Sequence, residues 1–275
     1  MKRGHFIERT LSGLTTAVEH ALFAEELARA DGLLQCLDPR VKVVGLLALI
    51  IAAALSHSIP VILGILGVAL ILALLSRVPL RTLALQVWLG ALLFTGMIAL
   101  PAIFITPGRV VYRLPLLDWP VTAQGLTSAT YLITRVETAA TLSVLLILCT
   151  PWTHVLKALR VLRVPIVFVV ILGMTHRYIF LILQTAHDML ESRRSRLVGD
   201  LDGPERRRIA VASIGVLLDK TFQLSGEVYL AMQSRGFRGE VYTLDEFIMR
   251  PRDWAALSGF AGVALLSIWL GRSSL

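Results

Sequence analysis

Two long stretches of this 275-residue chain carry no charge. No Asp, Glu, Lys or Arg occurs between Lys42 and Arg77, or between Arg81 and Arg109. About 20 successive apolar residues suffice to cross a bilayer. Charged residues make up 17% of the chain against 56% hydrophobic, where a soluble domain carries about a quarter charged residues. So little polar surface cannot cover a globule in water, and the expectation is an integral membrane protein. Cysteine is almost absent: Cys36 and Cys149 lie far apart and outside any Cys-x-x-Cys, which excludes a disulfide framework and a cysteine metal site. The six histidines (His5, His20, His57, His154, His176 and His187) are scattered, and none is four residues from another. His-Glu-x-x-His, Gly-x-Ser-x-Gly and a Gly-rich phosphate loop ending in Gly-Lys-Ser/Thr are all missing, which removes the common signatures of metalloprotease, hydrolase and nucleotide-binding chemistry. Asp200 and Asp202 are the only close aspartates. They sit in a Gly-Pro turn, which suits a loop better than the carboxylate pair of a lipid or prenyl transferase. The start, MKRGHFIERTLSG, lacks the apolar core of a signal peptide, so the first span is expected to act as its own insertion signal.

What is present is apolar helix and basic loop. The net charge of +8 fits Lys and Arg collecting on the cytoplasmic side of a membrane and is not read as nucleic-acid binding. Residues 1–42 form a polar lead-in whose Leu14, Val18, Leu22, Leu27 and Leu34 recur at roughly helical spacing, predicting an amphipathic helix on a membrane surface or a neighbour. Asp38-Pro39 supplies an N-cap and first helical residue, with Arg40 and Lys42 expected at the interface. Spans are predicted over 43–56, 60–76, 83–105 (interrupted by Pro101), 123–149 and 254–271, with a short crossing over 106–121. Thr127, Thr130, Thr134, Thr138 and Thr141 give the fourth span a face suited to close packing.

The apolar run 164–183 poses a topological choice. If it crossed, Arg193, Arg194, Arg196 and Arg206 to Arg208 would lie opposite Arg77, Arg81, Lys157, Arg160 and Arg163. Both sets fall on the cytoplasmic face if the run lies against that leaflet instead, which gives about five spans rather than six. Beyond it, 184–250 is charged and broken at Gly199–Pro204 between two long helical patterns, the layout of a docking module. The expected fold is an all-α polytopic membrane protein. It comprises a lead-in (1–42), four membrane helices (43–149), a cytoplasmic or interfacial module with long amphipathic helices (150–253) and a last membrane helix (254–275).

Inside the fourth span stand Arg135 and Glu137, where charge is expensive and often functional. Two residues apart, they point to nearly opposite sides of the helix and cannot pair with each other. Glu137 fits an ion path in a stand-alone secondary transporter or channel. Alternatively, both residues snorkel and pair with neighbouring helices. The paired repeats and matched broken helices of secondary transporters are not seen.

Two Arg-bearing helix ends close this reading. One is Glu191-Ser192-Arg193-Arg194-Ser195-Arg196; the other is Ala231-Met232-Gln233-Ser234-Arg235-Gly236-Phe237. With Leu37-Asp38-Pro39-Arg40-Val41-Lys42 and the Pro165…His176-Arg177-Tyr178 stretch, they resemble the transmembrane (T) component of energy-coupling factor transporters, the EcfT/CbiQ family. That family carries Ala-Arg-Ser or Ala-Arg-Gly-like triplets at these ends. Here the second reads Ser234-Arg235-Gly236, and the first is best matched by Arg193-Arg194-Ser195, with Arg196 leaving its register open. The resemblance implies a non-catalytic scaffold for ATP-driven import. Two cytoplasmic ATPase subunits would hold the ATP and Mg, with no cofactor on this chain, and a small membrane S component would bind substrate. Arg194 and Arg235 would reach groups on the ATPases, as the rigid, permanently charged Arg fork suits, Gly236 would allow a sharp turn, and 164–183 would offer an apolar sliding surface to the S component. The stretch His176-Arg177-Tyr178-Ile179-Phe180 resembles the cobalt/nickel branch, although a vitamin substrate is equally compatible with the lack of a His cluster. The resemblance places the chain in a prokaryotic inner membrane, in contact with lipid, with its N-terminus and coupling module cytoplasmic.

Overall fold

The computed structural model describes residues 12, 13, 16, 28, 32–83, 87–107, 109–113, 120–196, 202–237 and 249–273. The expected lead-in helix and the Asp200 turn fall outside these residues. The helices are α1 (Pro39–Leu55), α2 (Ile59–Leu75), α3 (Leu80–Leu83), α4 (Leu89–Ile105), α5 (Ala123–Leu148), α6 (Trp152–Val161), α7 (Ile166–Arg196), α8 (Gly203–Ser234) and α9 (Pro251–Ser273). Strands β1 (Val110–Arg113) and β2 (Pro120–Thr122) lie between α4 and α5. The chain divides into two compact units: Ala24–Ala158 with Glu246–Leu275, and Met1–Phe23 with Leu159–Asp245.

In the first unit α5 is the central helix, packed against α1, α2 and α4, while α9 packs on α1 and α2. Its core comprises Leu46, Leu49, Ala52, Ile65, Ala69, Leu142 and Leu145, all fully or nearly fully buried. Small residues set the closest approaches. A Cβ on Gly45 would stand 2.4 Å from Cδ2 of Phe260, and one on Gly125 would stand 2.6 Å from the Ile103 carbonyl oxygen. Outward-facing Leu89, Leu93, Met97 and Trp269 are each more than 65% exposed. An apolar exterior of this extent belongs to a chain whose surroundings are lipid. The Thr face is only partly packed. Thr138 and Thr141 are buried, whereas Thr127 and Thr130 are exposed and return their hydroxyl protons to the Ala123 and Leu126 carbonyls of their own helix.

One end of this unit is a polar knot. Asp38 caps α1 by accepting the Arg40 N–H at 2.8 Å, and its own N–H donates to Asp253 Oδ1 at 3.0 Å. Asp253 Oδ2 accepts the Arg250 N–H at 2.8 Å, and Arg252 donates to the Cys36 carbonyl at 2.9 Å. Lys42 does not sit at an open interface as expected. It is buried and donates to the Cys149 carbonyl at 3.1 Å, placing a cation on the C-terminal end of α5, where the helix dipole favours it. Segment 33–35 seals the same end through Leu33 to Leu75 O, Leu34 to Ser76 Oγ and Gln35 to Ser76 O.

The crossing between α4 and α5 is more ordered than a loop. β1 and β2 pair antiparallel, Val110 opposite Thr122, with a bulge between Val110 and Tyr112. Thr122 then caps α5, accepting the Gly125 N–H at 3.1 Å and donating to the Thr106 carbonyl at 2.9 Å.

Among the described residues three helices are long and apolar enough to cross a membrane, namely Ala123–Leu148, Ile166–Arg193 and Pro251–Gly271, and two shorter apolar helices accompany them, Ile59–Leu75 and Leu89–Pro101. The run 164–183 does not stop where its apolar character stops. α7 carries it without a break into the basic segment ending at Arg196. Helix α4 likewise continues through Pro101.

Two helix ends share a geometry. After α2, Arg77 adopts φ 54°, its N–H donating to Leu74 O and the Val78 N–H to Ala73 O. After α6, Arg163 adopts φ 63°, with the same bonds to Arg160 O and from Val164 to Leu159 O. Each is a Schellman closure followed by Val-Pro, so Arg-Val-Pro occurs at both corners. The left-handed region costs a non-glycine residue about 1–2 kcal/mol.

Candidate functional site

The sequence places its main site at the C-terminal ends of α7 and α8, both in the second unit. Helix α8 has Pro204 in its first turn and Glu205 beside it, favourable for a helix start. At ~1.5 Å per residue its 32 residues extend roughly 48 Å. Val211, Ile214, Phe222 and Leu230 along it are each more than 60% exposed. Between α7 and α8 lies a groove of about 260 Å³, walled by Leu181, Ile182, Leu217 and Leu224 with Lys220 and Glu227 at its edge.

The end of α8 is built to stop abruptly. Gly236 has φ +70°, its N–H donates to Gln233 O at 2.9 Å and the Phe237 N–H to Met232 O at 3.0 Å. This is again the Schellman arrangement, with Arg235 as the capping residue. No atom of the described residues crowds Gly236, and its positive φ is the conformation that glycine takes without strain. Ser234 returns its hydroxyl to Ala231 O at 3.0 Å. Arg235 is exposed and makes no ion pair among the described residues. A rigid helix end thus presents a permanently charged, bidentate donor.

At the end of α7, Arg193, Arg194, Ser195 and Arg196 are all helical. Arg193 is half-buried, and Ser195 is exposed with its hydroxyl on Ser192 O at 2.8 Å. One turn earlier His187 and Glu191 approach to 3.8 Å. Four successive helical positions point in four directions about 100° apart, so the backbone alone does not choose between the arginines.

The intramembrane pair separates into different environments. Arg135 donates to the Ser56 carbonyl at 3.0 Å, and its guanidinium lies over the Tyr131 ring, 4.5 Å from the centroid. The Tyr131 hydroxyl donates to the same carbonyl. Together they satisfy an unpaired carbonyl at the end of α1, a bracing role. Glu137 is buried, and neither carboxylate oxygen has a hydrogen-bond partner among the described residues. One turn along, Thr141 receives the Trp88 indole N–H at 3.4 Å. No group of three or more His, Cys, Asp or Glu that could hold a metal occurs among the described residues. The sequence reading missed the Asp38–Asp253 knot, which joins residues over two hundred positions apart. It also missed the two left-handed arginines, whose repeated Arg-Val-Pro was the available signal.

Comparison with known proteins bears on the whole arrangement. The chain is 35% identical over 239 residues to an uncharacterized protein of Methanocaldococcus jannaschii, covering 85% of this chain and 81% of the relative. Residues 32–243 match the CbiQ cobalt transport protein family. That match runs from the polar knot through both Arg-bearing helix ends, and the chain belongs to the CbiQ family of cobalt transport proteins.

Proposed function

We propose that this chain is the non-catalytic transmembrane scaffold of an ATP-driven energy-coupling factor importer for cobalt. It couples two cytoplasmic ATPase subunits to a substrate-binding membrane subunit. The observation that carries the reading is the end of α8: an exposed Arg235 held on a Schellman turn by Gly236, inside the family match. In this reading α8 is a lever, stiff along its length, which transmits an ATPase movement applied at Arg235 to the apolar surface carried by Val211, Ile214 and Phe222. Arg194 serves a second ATPase from the end of α7, with Arg193, Ser195 and Arg196 around it. The polar-knot end of the first unit, with Arg40, Arg77, Arg81, Arg250 and Arg252, faces the cytoplasm under the positive-inside tendency. The run 164–183 then lies at the cytoplasmic leaflet. The ATP and Mg are held by the partners.

The test is purification of the tagged chain from its native host in mild detergent, with co-purifying proteins identified by mass spectrometry. Two ATPase chains and a small hydrophobic protein are expected. Recovery of the chain alone, able to transport cobalt in liposomes, overturns the scaffold reading. Glu137 is the one feature favouring that second reading, a stand-alone ion transporter, since it is an unpaired carboxylate in a span. It predicts transport by the lone chain that Glu137→Gln abolishes.

A further inference from the structure

The two left-handed arginines are unexplained by the scaffold reading. Arg77 and Arg163 are the only non-glycine residues with positive φ among the described residues. Glycine would take that conformation freely, as it does at Gly236, so each corner keeps a strained side chain where none is needed for the turn. Strain retained in this way points to a use for the side chain. Both arginines are exposed, and neither makes an ion pair among the described residues.

Their surroundings specify the ligand class. Leu74 and Leu75, immediately before the first corner, are 58% and 52% exposed; Val161 and Leu162, before the second, are 46% and 44% exposed. The first corner is therefore a step from bare aliphatic surface to a bare guanidinium within three residues, and at the second an exposed aliphatic pair lies between Arg160 and Arg163. That profile matches the boundary between the acyl chains and the phosphates of a leaflet. Arg81 is also exposed, four residues beyond Arg77, and adds charge at that corner. We propose that Arg77 and Arg163 each bind the phosphate of a membrane phospholipid, the guanidinium forking onto two phosphate oxygens while the neighbouring leucines or valine lie against its acyl chains. The fixed left-handed backbone holds Arg77 at the end of the apolar helix α2 and Arg163 at the end of the amphipathic helix α6, and the Val-Pro that follows turns the chain along the interface. This inference requires only that the chain is embedded in a bilayer, and it is independent of the ATPase coupling.

The test compares the full-length protein with Arg77→Gly/Arg163→Gly, delipidated in detergent, by thermal melting with and without added phosphatidylglycerol. Without lipid the variant is expected to melt higher, by about 2–4 °C per site, because strain is relieved. With phosphatidylglycerol the wild type gains stability, and the variant loses at least half of that gain. Arg77→Asn/Arg163→Asn, whose side chains tolerate the left-handed region without the charge, should lose the same share of the gain and guards against a glycine-specific folding defect. An undiminished lipid gain in both variants overturns the proposal. So does an equal gain from inorganic phosphate at the same concentration, which marks a free-anion site. Loss of cobalt uptake by the assembled transporter with the lipid gain intact also overturns it, in favour of a protein contact.

Discussion

The two compact units differ in how many of their charged groups are held by the fold. In the first, built on α1, α2, α4, α5 and α9, several charged side chains are turned inward and tied, while Arg77 and Arg81 stay exposed and Glu137 is buried without a hydrogen-bond partner among the described residues. Lys42 is on the Cys149 carbonyl, Asp253 takes two backbone N–H groups, and Arg135 is on Ser56. In the second, built on α7 and α8, arginine and large apolar residues alike are left outward, as with Arg235 and Phe222. Buried polar groups left without partners are costly, so the ties of Lys42, Asp253 and Arg135 help fix how the helices of the first unit pack. The second unit's outward residues contribute little to its own stability, and the proposed assembly gives them a use. In the proposed function the first unit supplies the stability and the second the coupling.

The sharpest way to break that contrast is to substitute Arg235. Arg235→Ala should reduce ATP-driven cobalt uptake by the assembled transporter by more than tenfold while the purified chain melts within about 1 °C of wild type, since an exposed side chain contributes under ~0.5 kcal/mol. Parallel uptake and melting measurements check this, and a large melting loss would make Arg235 a structural residue.

Asp253→Ala is the converse. It strands the Asp38 and Arg250 N–H groups and should destabilise the first unit by about 2–4 kcal/mol, read by chemical or thermal unfolding in detergent. Gly125→Ala comes next. Its Cβ meets backbone and not a flexible side chain, so α4 and α5 must separate, at a cost of about 1–3 kcal/mol. The smallest effect is expected from Gly236→Ala, about 1–2 kcal/mol confined to the last turn of α8. Hydrogen exchange at residues 230–237 should show that fraying without change at 209–220.

Much of the fold was legible because bilayer-spanning helices announce themselves by composition. The charge-free stretches placed α1, α2 and α4, and Asp38-Pro39 and Pro204 located helix starts by capping chemistry alone. Gly236 located the end of α8 in the same way. The β1–β2 ribbon was not legible, because Pro115 and Pro120 broke any alternating pattern in so short a segment. Nor was the continuity of α7, since a helix passing from apolar to charged surroundings reads as two elements when only hydropathy is followed. Of the candidate site, the residue identities were legible but not their environments. Arg135 and Glu137 are two positions apart in sequence, yet one is braced on α1 and the other is buried without a partner. That difference depends on which helices pack against α5, and a single helix's periodicity carries no such information.

The central claim is that this chain transmits ATPase motion and does not itself carry the ion. It is tested most directly by cobalt uptake into proteoliposomes holding the assembled transporter, with Arg235→Ala and Glu137→Gln compared side by side. The account predicts ATP-dependent uptake that Arg235→Ala abolishes and Glu137→Gln leaves largely intact. Uptake that survives Arg235→Ala and disappears with Glu137→Gln would contradict it.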